Sequence, residues 1–158
     1  MLTTVTSSGP EGFLKRRLSV RLGITPRTLD FGTAGHLFFH TSCGEVAESE
    51  EMITFKLGFV RTPTMSPLSA QQLLSQKIAQ PRTIDSNAIR GNALVACLSK
   101  TEPCFSTYET LMALPQLYYV CSDEHIVCAT ALRPLLALLD QLPRHMAYLL
   151  LPMTCTVG

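Results

Sequence analysis

Two histidines and two phenylalanines lie close together in residues 35–44, a stretch bounded by glycines. Because side chains of a β-strand alternate between its two faces, a strand here places His36, Phe38 and His40 on one face. An exposed phenylalanine between two imidazoles is a flat surface on which nucleic-acid bases stack. The alternative is a strand that is buried on both faces, with histidines satisfied by neighbouring groups. The residue types leave both interpretations open.

Other chemistries find less support in the spacing of the reactive residues. His36 and His40 have the spacing of zinc-binding histidines on a helix, but no glutamate lies between them as in H-E-x-x-H. Two cysteine pairs repeat a six-residue gap, Cys97 with Cys104 and Cys121 with Cys128, whereas structural zinc sites usually use a gap of about two to four residues. Neither a nucleophile motif nor a phosphate-binding loop is present. We therefore expect a protein that is not an enzyme and that holds no metal or cofactor. An enzyme that uses a Cys or His nucleophile is kept as a hypothesis, after the two binding functions given below.

Composition predicts a globular protein made of one medium domain or two small ones. The chain has 158 residues, of which 46% are hydrophobic and 16% charged. Its net charge of +1 gives no overall signature of nucleic-acid binding. No export signal and no run of about 18 apolar residues is evident. We therefore expect reduced thiols, as in the cytosol or the nucleus, no membrane span, and a cytoplasmic protein.

Hydrophobic periodicity predicts a largely β chain with a few helices. Residues 1–12 are predicted to be a disordered lead-in, and strands are predicted at 18–22, 52–60, 92–98, 116–121 and 125–130, the last two as a hairpin. A helix is predicted over 68–80, because Ser69 and Gln72 have capping-box spacing and Pro81 follows. Residues 81–87 are predicted to connect two domains. A second helix over 130–142 carries Leu132, Leu135, Leu136 and Leu139 on one face.

A family resemblance adds to this pattern. Residues 37–42, Leu-Phe-Phe-His-Thr-Ser, resemble the second ribonucleoprotein motif of cold shock domains, most closely the form in Unr-type proteins with several such domains. Phe31-Gly32 is similar to the Phe-Gly motif of that family, and residues 44–57 are similar to its following loop and fourth strand. Ser69-Ala70 falls near a Ser-Ala of its fifth strand. Residues 90–97 and 117–120 resemble, more loosely, the aromatic-poor domains of the same proteins.

The resemblance implies a mixed, mainly β fold: an OB-type, cold-shock-like five-stranded barrel over 13–80, then a small α+β unit over 88–158 with a C-terminal helix. It also implies binding of single-stranded RNA or DNA, RNA in the first place, in post-transcriptional regulation. Bases would stack on the aromatic side chains while basic side chains follow the backbone. The implied interface consists of Phe31, His36, Phe38, His40, Arg21, Arg27 and Lys56.

The low net charge and the leucine-rich helix support an alternative function. In that alternative the chain is a protein–protein interaction adaptor that keeps the fold and has lost nucleic-acid binding. Its partner, a helix or a second copy of the chain, would dock on the helix carrying Leu132 to Leu139.

Overall fold

The computed structural model describes residues 2–6, 20, 23, 25–31, 36–110, 116–121, 125–131 and 156–157. These residues form a mainly β protein built from antiparallel sheets, which confirms the coarse prediction. The strands are β1 (Leu2–Thr6), β2 (Arg27–Asp30), β3 (His36–His40), β4 (Glu45–Glu48), β5 (Met52–Arg61), β6 (Ala79–Gln80), β7 (Thr83–Ile84), β8 (Arg90–Ser99), β9 (Phe105–Glu109), β10 (Tyr118–Cys121), β11 (His125–Ala129) and β12 (Thr156–Val157), and α1 is the helix Ala70–Ser75.

The chain divides into two compact units, one of residues 1–42 with 117–152 and one of 43–116 with 153–158. This division differs from the predicted one. Residues 81–87 lie inside the second unit, because β5 and β8 on either side of them pair over ten positions, from Met52↔Ser99 to Arg61↔Arg90.

The sheet of the first unit has the strand order β10-β11-β1-β3-β2. Its middle strand, β1, pairs with both neighbours, so that Leu2 lies opposite Ala129 on one side and His40 on the other. The prediction of a disordered lead-in is therefore wrong for residues 2–6. The segment Leu-Thr-Thr-Val-Thr is rich in β-branched residues, which favour strands. The predicted hairpin of β10 and β11 is confirmed.

The sheet of the second unit has the order β12-β9-β8-β5-β4, and α1 packs on one of its faces. On that face, buried residues of β5 and β8 meet α1 and the segments around it. This core cluster contains Val60, Leu68, Leu73, Ile78, Ala79, Ile89, Ala93, Val95 and Cys97.

Helix α1 has the predicted capping box, begins two residues after the predicted start at residue 68, and ends earlier than predicted. The capping box is present: the Ser69 hydroxyl accepts a hydrogen bond from the Gln72 N–H, and the Gln72 side chain accepts one from the Ser69 N–H. At the other end, Lys77 adopts a left-handed φ of 56°. The Ile78 N–H then bonds the Leu73 carbonyl at 3.0 Å and the Lys77 N–H bonds the Leu74 carbonyl at 3.1 Å, which is the pattern of a Schellman motif. The helix therefore stops at this motif, before Pro81.

Several finer expectations are not met or fall elsewhere. Within the described ranges, each five-stranded sheet is open, since its first and last strands do not pair with each other. Ser69-Ala70 lies at the start of α1 instead of in a fifth strand. The predicted strand at 18–22 lies outside the described residues except for Val20, which is helical and not extended. The helix over 130–142 also lies outside them except for Thr130 and Ala131.

Candidate binding surfaces

Strand β3, the predicted interface, is buried on both of its faces. Leu37 and Phe38 are fully buried and Phe39 is 3% exposed. The prediction that Phe38 faces outward is wrong: Phe38 on one face of the strand and Leu37 and Phe39 on the other are all buried, so both faces are covered. The alternative interpretation is confirmed for the burial of both faces, but not for the hydrogen bonding of the histidines, since the buried His36 Nδ1 atom has no hydrogen-bond partner. No base reaches the Phe38 ring in this conformation.

The histidines beside Phe38 are half-buried at the two ends of the strand. The His36 Nδ1 atom lies 3.2 Å from the Asp30 carboxylate, in the opposite position on β2. This contact has the distance of an ion pair but not the alignment of a hydrogen bond, since Nδ1 has no hydrogen-bond partner. The His36 ring also lies tilted at 6.3 Å from the Phe38 ring. These contacts position His36 within its own sheet.

The basic residues of the predicted interface have different environments. Arg27 is exposed, and its guanidinium lies 5.1 Å from the centre of the Phe39 ring in a cation–π contact. Phe31 is half-buried. Arg21 lies outside the described residues.

Lys56 is buried, whereas the prediction requires its ammonium group to be accessible to a nucleic acid. Its ammonium lies 2.6 Å from the Glu45 carboxylate and donates a hydrogen bond to the Leu68 carbonyl at 2.9 Å. The other Glu45 oxygen accepts a hydrogen bond from the Ala70 N–H at 3.0 Å. The hydrogen bond from Lys56, helped by that from Ala70, holds the pKa of Glu45 below its usual value. Lys56 therefore joins the start of α1 to the sheet and is not available to a nucleic-acid backbone.

A different surface, at the end of β5 and β8, exposes an aromatic ring. Ile53, Phe55 and Leu57 form a buried row on the face opposite α1, but the next member, Phe59, is 52% exposed. Asn92 lies directly opposite Phe59, and the next pair on this face is Arg61 with Arg90. We call these four residues, Phe59, Arg61, Arg90 and Asn92, the ribbon patch.

Two glycines determine how closely the strands approach at the ribbon patch. Gly58 and Gly91 have φ values of 89° and 135°, in the region that favours glycine. A Cβ atom on Gly58 would collide with the Asn92 carbonyl oxygen, and one on Gly91 with the Phe59 carbonyl oxygen. The close approach of the two backbones at Gly58 and Gly91 therefore sets the spacing of the strands that carry the patch.

The two arginines of the patch lie at directly opposite positions and have no acidic partner among the described residues. Like charges directly opposite on neighbouring strands are destabilising. Among the residues that the structure describes, neither Arg61 nor Arg90 forms an ion pair. The Nη1 of Arg90 donates to the Ile89 carbonyl at 2.8 Å and to the Ser86 carbonyl at 3.3 Å, which fixes its guanidinium. The Nε atom of Arg61 is buried and has no hydrogen-bond partner.

The thiols of Cys97 and Cys104 do not have the environment of catalytic cysteines. Burial raises the pKa of Cys97 to about 11 and also raises that of Cys104. Reactive cysteines require the opposite shift, since the thiolate is the nucleophile. Within the described part of the chain, no group of three or more His, Cys, Asp or Glu residues is placed to hold a metal ion. The helix that the structure describes is too short to cross a membrane.

Comparison with known proteins gives no relative for this chain. No protein-family model, curated protein or solved structure matches it.

The sequence contains only part of the signal for the ribbon patch. Alternation over 52–60 already puts Phe59 on the same face as Ile53, Phe55 and Leu57. The pairing of Arg61 with Arg90 depends on the register of two strands that are distant in sequence, and local patterns do not determine this register.

Proposed function

We propose that this protein is a non-enzymatic module that binds single-stranded nucleic acid, RNA in the first place, through the ribbon patch and not through β3. The observation that carries the proposal is the half-exposed Phe59 ring on the same face as two arginines. Proteins that bind single strands combine the same two elements, aromatic rings on which bases stack and cations that contact the phosphates.

The chemistry of the patch suits one short stretch of nucleic acid. A base stacked on Phe59 would gain about 1–3 kcal/mol, as such contacts do elsewhere. Asn92 lies directly opposite Phe59 on the neighbouring strand, and an amide side chain can both donate to and accept from a base edge. Because the whole chain carries a net charge of only +1, the attraction for phosphate has to come from a local group such as the arginine pair.

The environment of Cys97 and Cys104 supports the non-enzymatic part of the proposal as far as these two residues are concerned, since buried cysteines with raised pKa values are poor nucleophiles. A relation to cold shock domains, a closed OB-type barrel, a cytoplasmic location and a role in post-transcriptional regulation remain proposals. The Leu-Phe-Phe-His strand and the mainly antiparallel fold support the family relation. Binding at the ribbon patch does not depend on that relation, because the patch lies outside β3.

The test is a fluorescence-anisotropy titration of labelled single-stranded RNA and DNA oligonucleotides at stated salt. We expect Phe59→Ala to weaken binding by at least about fivefold, since it removes one stacking contact. Val46→Ala is the matched control, because Val46 is an exposed apolar residue (45%) of the same sheet and lies outside the patch. The proposal fails if no single strand binds, or if Phe59→Ala binds as tightly as the wild type.

The burial of Phe38 favours a second candidate, the interaction adaptor, since a fold without that surface has lost the stacking site of the family it resembles. This candidate predicts an oligomer that Leu136→Asp disrupts, together with no RNA binding. Size-exclusion chromatography with light scattering measures the oligomeric state, and the anisotropy titration measures RNA binding. A monomer that binds RNA contradicts the adaptor.

A further inference from the structure

Arg61 and Arg90 form a cross-strand pair that nothing else in the described structure neutralises. They lie directly opposite each other at the end of the β5–β8 ladder and on one face of it. Their side chains start about 5 Å apart, the usual distance between directly opposite positions. Like charges at directly opposite positions are destabilising, and an anion bound by both side chains would remove that repulsion.

The two carboxylates to consider are those of Asp85 and Glu109. Asp85 precedes Ser86, but its carboxylate accepts a hydrogen bond from the Asn87 N–H and forms none of the described ion pairs. Glu109 lies on the same face, but it is opposite Leu94, four residues along β8 from Arg90. At the rise of a β-strand this separation is ~13 Å. The described ion pairs of the second unit join Lys56 to Glu45, Arg82 to Glu102 and Lys100 to Glu48, and none of them includes an arginine of the patch.

The guanidinium of Arg90 is oriented before any ligand binds. The carbonyls of Ile89 and Ser86 hold Nη1 of Arg90, which leaves its other N–H groups for a ligand. Arg61 has a buried Nε–H without an acceptor, and a buried donor of this kind costs free energy until it finds one. A planar guanidinium matches two oxygens of a phosphate at once.

We infer that the Arg61–Arg90 pair is a phosphate-binding site. A phosphate group bound there would accept hydrogen bonds from both guanidinium groups. The site rests on the proposed function only for the identity of the group that carries the phosphate, a nucleic-acid strand. Phe59 and Asn92 lie one pair further along the same face, ~7 Å away. That spacing puts one phosphate on the arginines while a neighbouring base lies on Phe59.

The first experiment is calorimetric titration of the full chain with inorganic phosphate, at an ionic strength held constant with chloride. We expect the wild type to bind phosphate, and we expect Arg61→Gln and Arg90→Gln each to lose at least about tenfold in affinity, the effect of a charge-assisted contact. Arg82→Gln is the control: it removes the same charge from an exposed arginine of the same unit that is paired with Glu102, and should stay within about twofold. Because Arg90 is exposed, Arg90→Gln decides the result if Arg61→Gln does not fold.

The second experiment measures strand affinity as a function of salt. For single strands, each phosphate contact contributes about 0.7 to the slope of log K against log salt. Arg61→Gln or Arg90→Gln should lower that slope by about this amount, whereas Phe59→Ala should lower affinity and leave the slope unchanged.

The outcomes separate this inference from the proposed function. If phosphate binds and no strand does, the phosphate site stands and the nucleic-acid proposal fails. If a strand binds through Phe59 and the arginine variants change neither the slope nor phosphate affinity, the phosphate site is wrong and the proposed function stands. The inference is also overturned if Arg61→Gln and Arg90→Gln bind phosphate as tightly as the Arg82→Gln control does. Binding of poly-glutamate without binding of phosphate overturns it as well.

Discussion

Phe38 fills the interior of its unit, and its removal is expected to act on stability. Its side chain is fully buried, and its neighbours Leu37 and Phe39 are 0% and 3% exposed. Truncation of a buried phenylalanine to alanine leaves a cavity and costs about 3–5 kcal/mol. We expect Phe38→Ala to lower the free energy of unfolding by about this amount, measured by urea denaturation.

Phe59 is the matched control for Phe38, because the same substitution removes an exposed ring instead of a buried one. A half-exposed ring contributes little to the core, so Phe59→Ala should change the free energy of unfolding by less than about 1 kcal/mol. Equal stability losses in the two variants would contradict the assignment of Phe38 to the interior and Phe59 to the surface.

At the scale of elements, the Glu45–Lys56 pair fastens α1 to the sheet. Lys56 is buried whereas Glu45 is about half exposed, so loss of the carboxylate leaves a buried ammonium with only the Leu68 carbonyl. We expect Glu45→Gln to cost about 1–2 kcal/mol, less than a fully buried pair, because solvent screens Glu45. We expect Lys56→Met to cost less than Glu45→Gln, since it removes the buried charge itself.

The same pair predicts a pH dependence. The pKa of Glu45 is lower in the folded state than in the unfolded chain, mainly because of the hydrogen bond from Lys56. Its contribution to stability is therefore present above the unfolded pKa and is lost as the pH falls through the folded pKa. The difference in the free energy of unfolding between wild type and Glu45→Gln should shrink between pH 7 and pH 3. A difference that stays constant over this range would show that the pair does not contribute through the charge of Glu45.

Local patterns predicted several of these elements. Alternation located β5, the Ser69–Gln72 capping box located the start of α1, and the β10–β11 hairpin follows from two short runs with a turn between them. The Thr-rich segment of β1 reads as a polar lead-in until its two partners are known. Similarly, alternation assigns Phe38 and Phe59 to strand faces but does not tell which face is covered. That depends on the sheet neighbours and on packing between segments distant in sequence.

At the scale of the whole molecule, the first unit depends on strands from distant parts of the sequence. β1 lies between β3 and β11, so residues 2–6 hold together strands formed by residues 36–40 and by residues 125–129. We expect deletion of residues 1–6 to unfold the first unit, because both neighbouring strands lose a ladder of hydrogen bonds. Hydrogen exchange by residue measures this loss in β3 and β11.

The second unit supplies the control for this deletion. Its strands β4, β5, β8 and β9 pair with one another and with none of residues 1–6. If the deletion leaves β3 and β11 as protected as in the wild type, β1 is not needed for that sheet.

The central position of β1 has a consequence during synthesis on the ribosome. When residues 36–40 emerge, β1 already has one partner, but its other edge stays unpaired until residues 125–129 follow. An open strand edge on a nascent chain is a site for intermolecular pairing and aggregation. Slow translation of the intervening residues would prolong that exposure, and a chaperone that shields nascent strand edges should raise the yield of native protein.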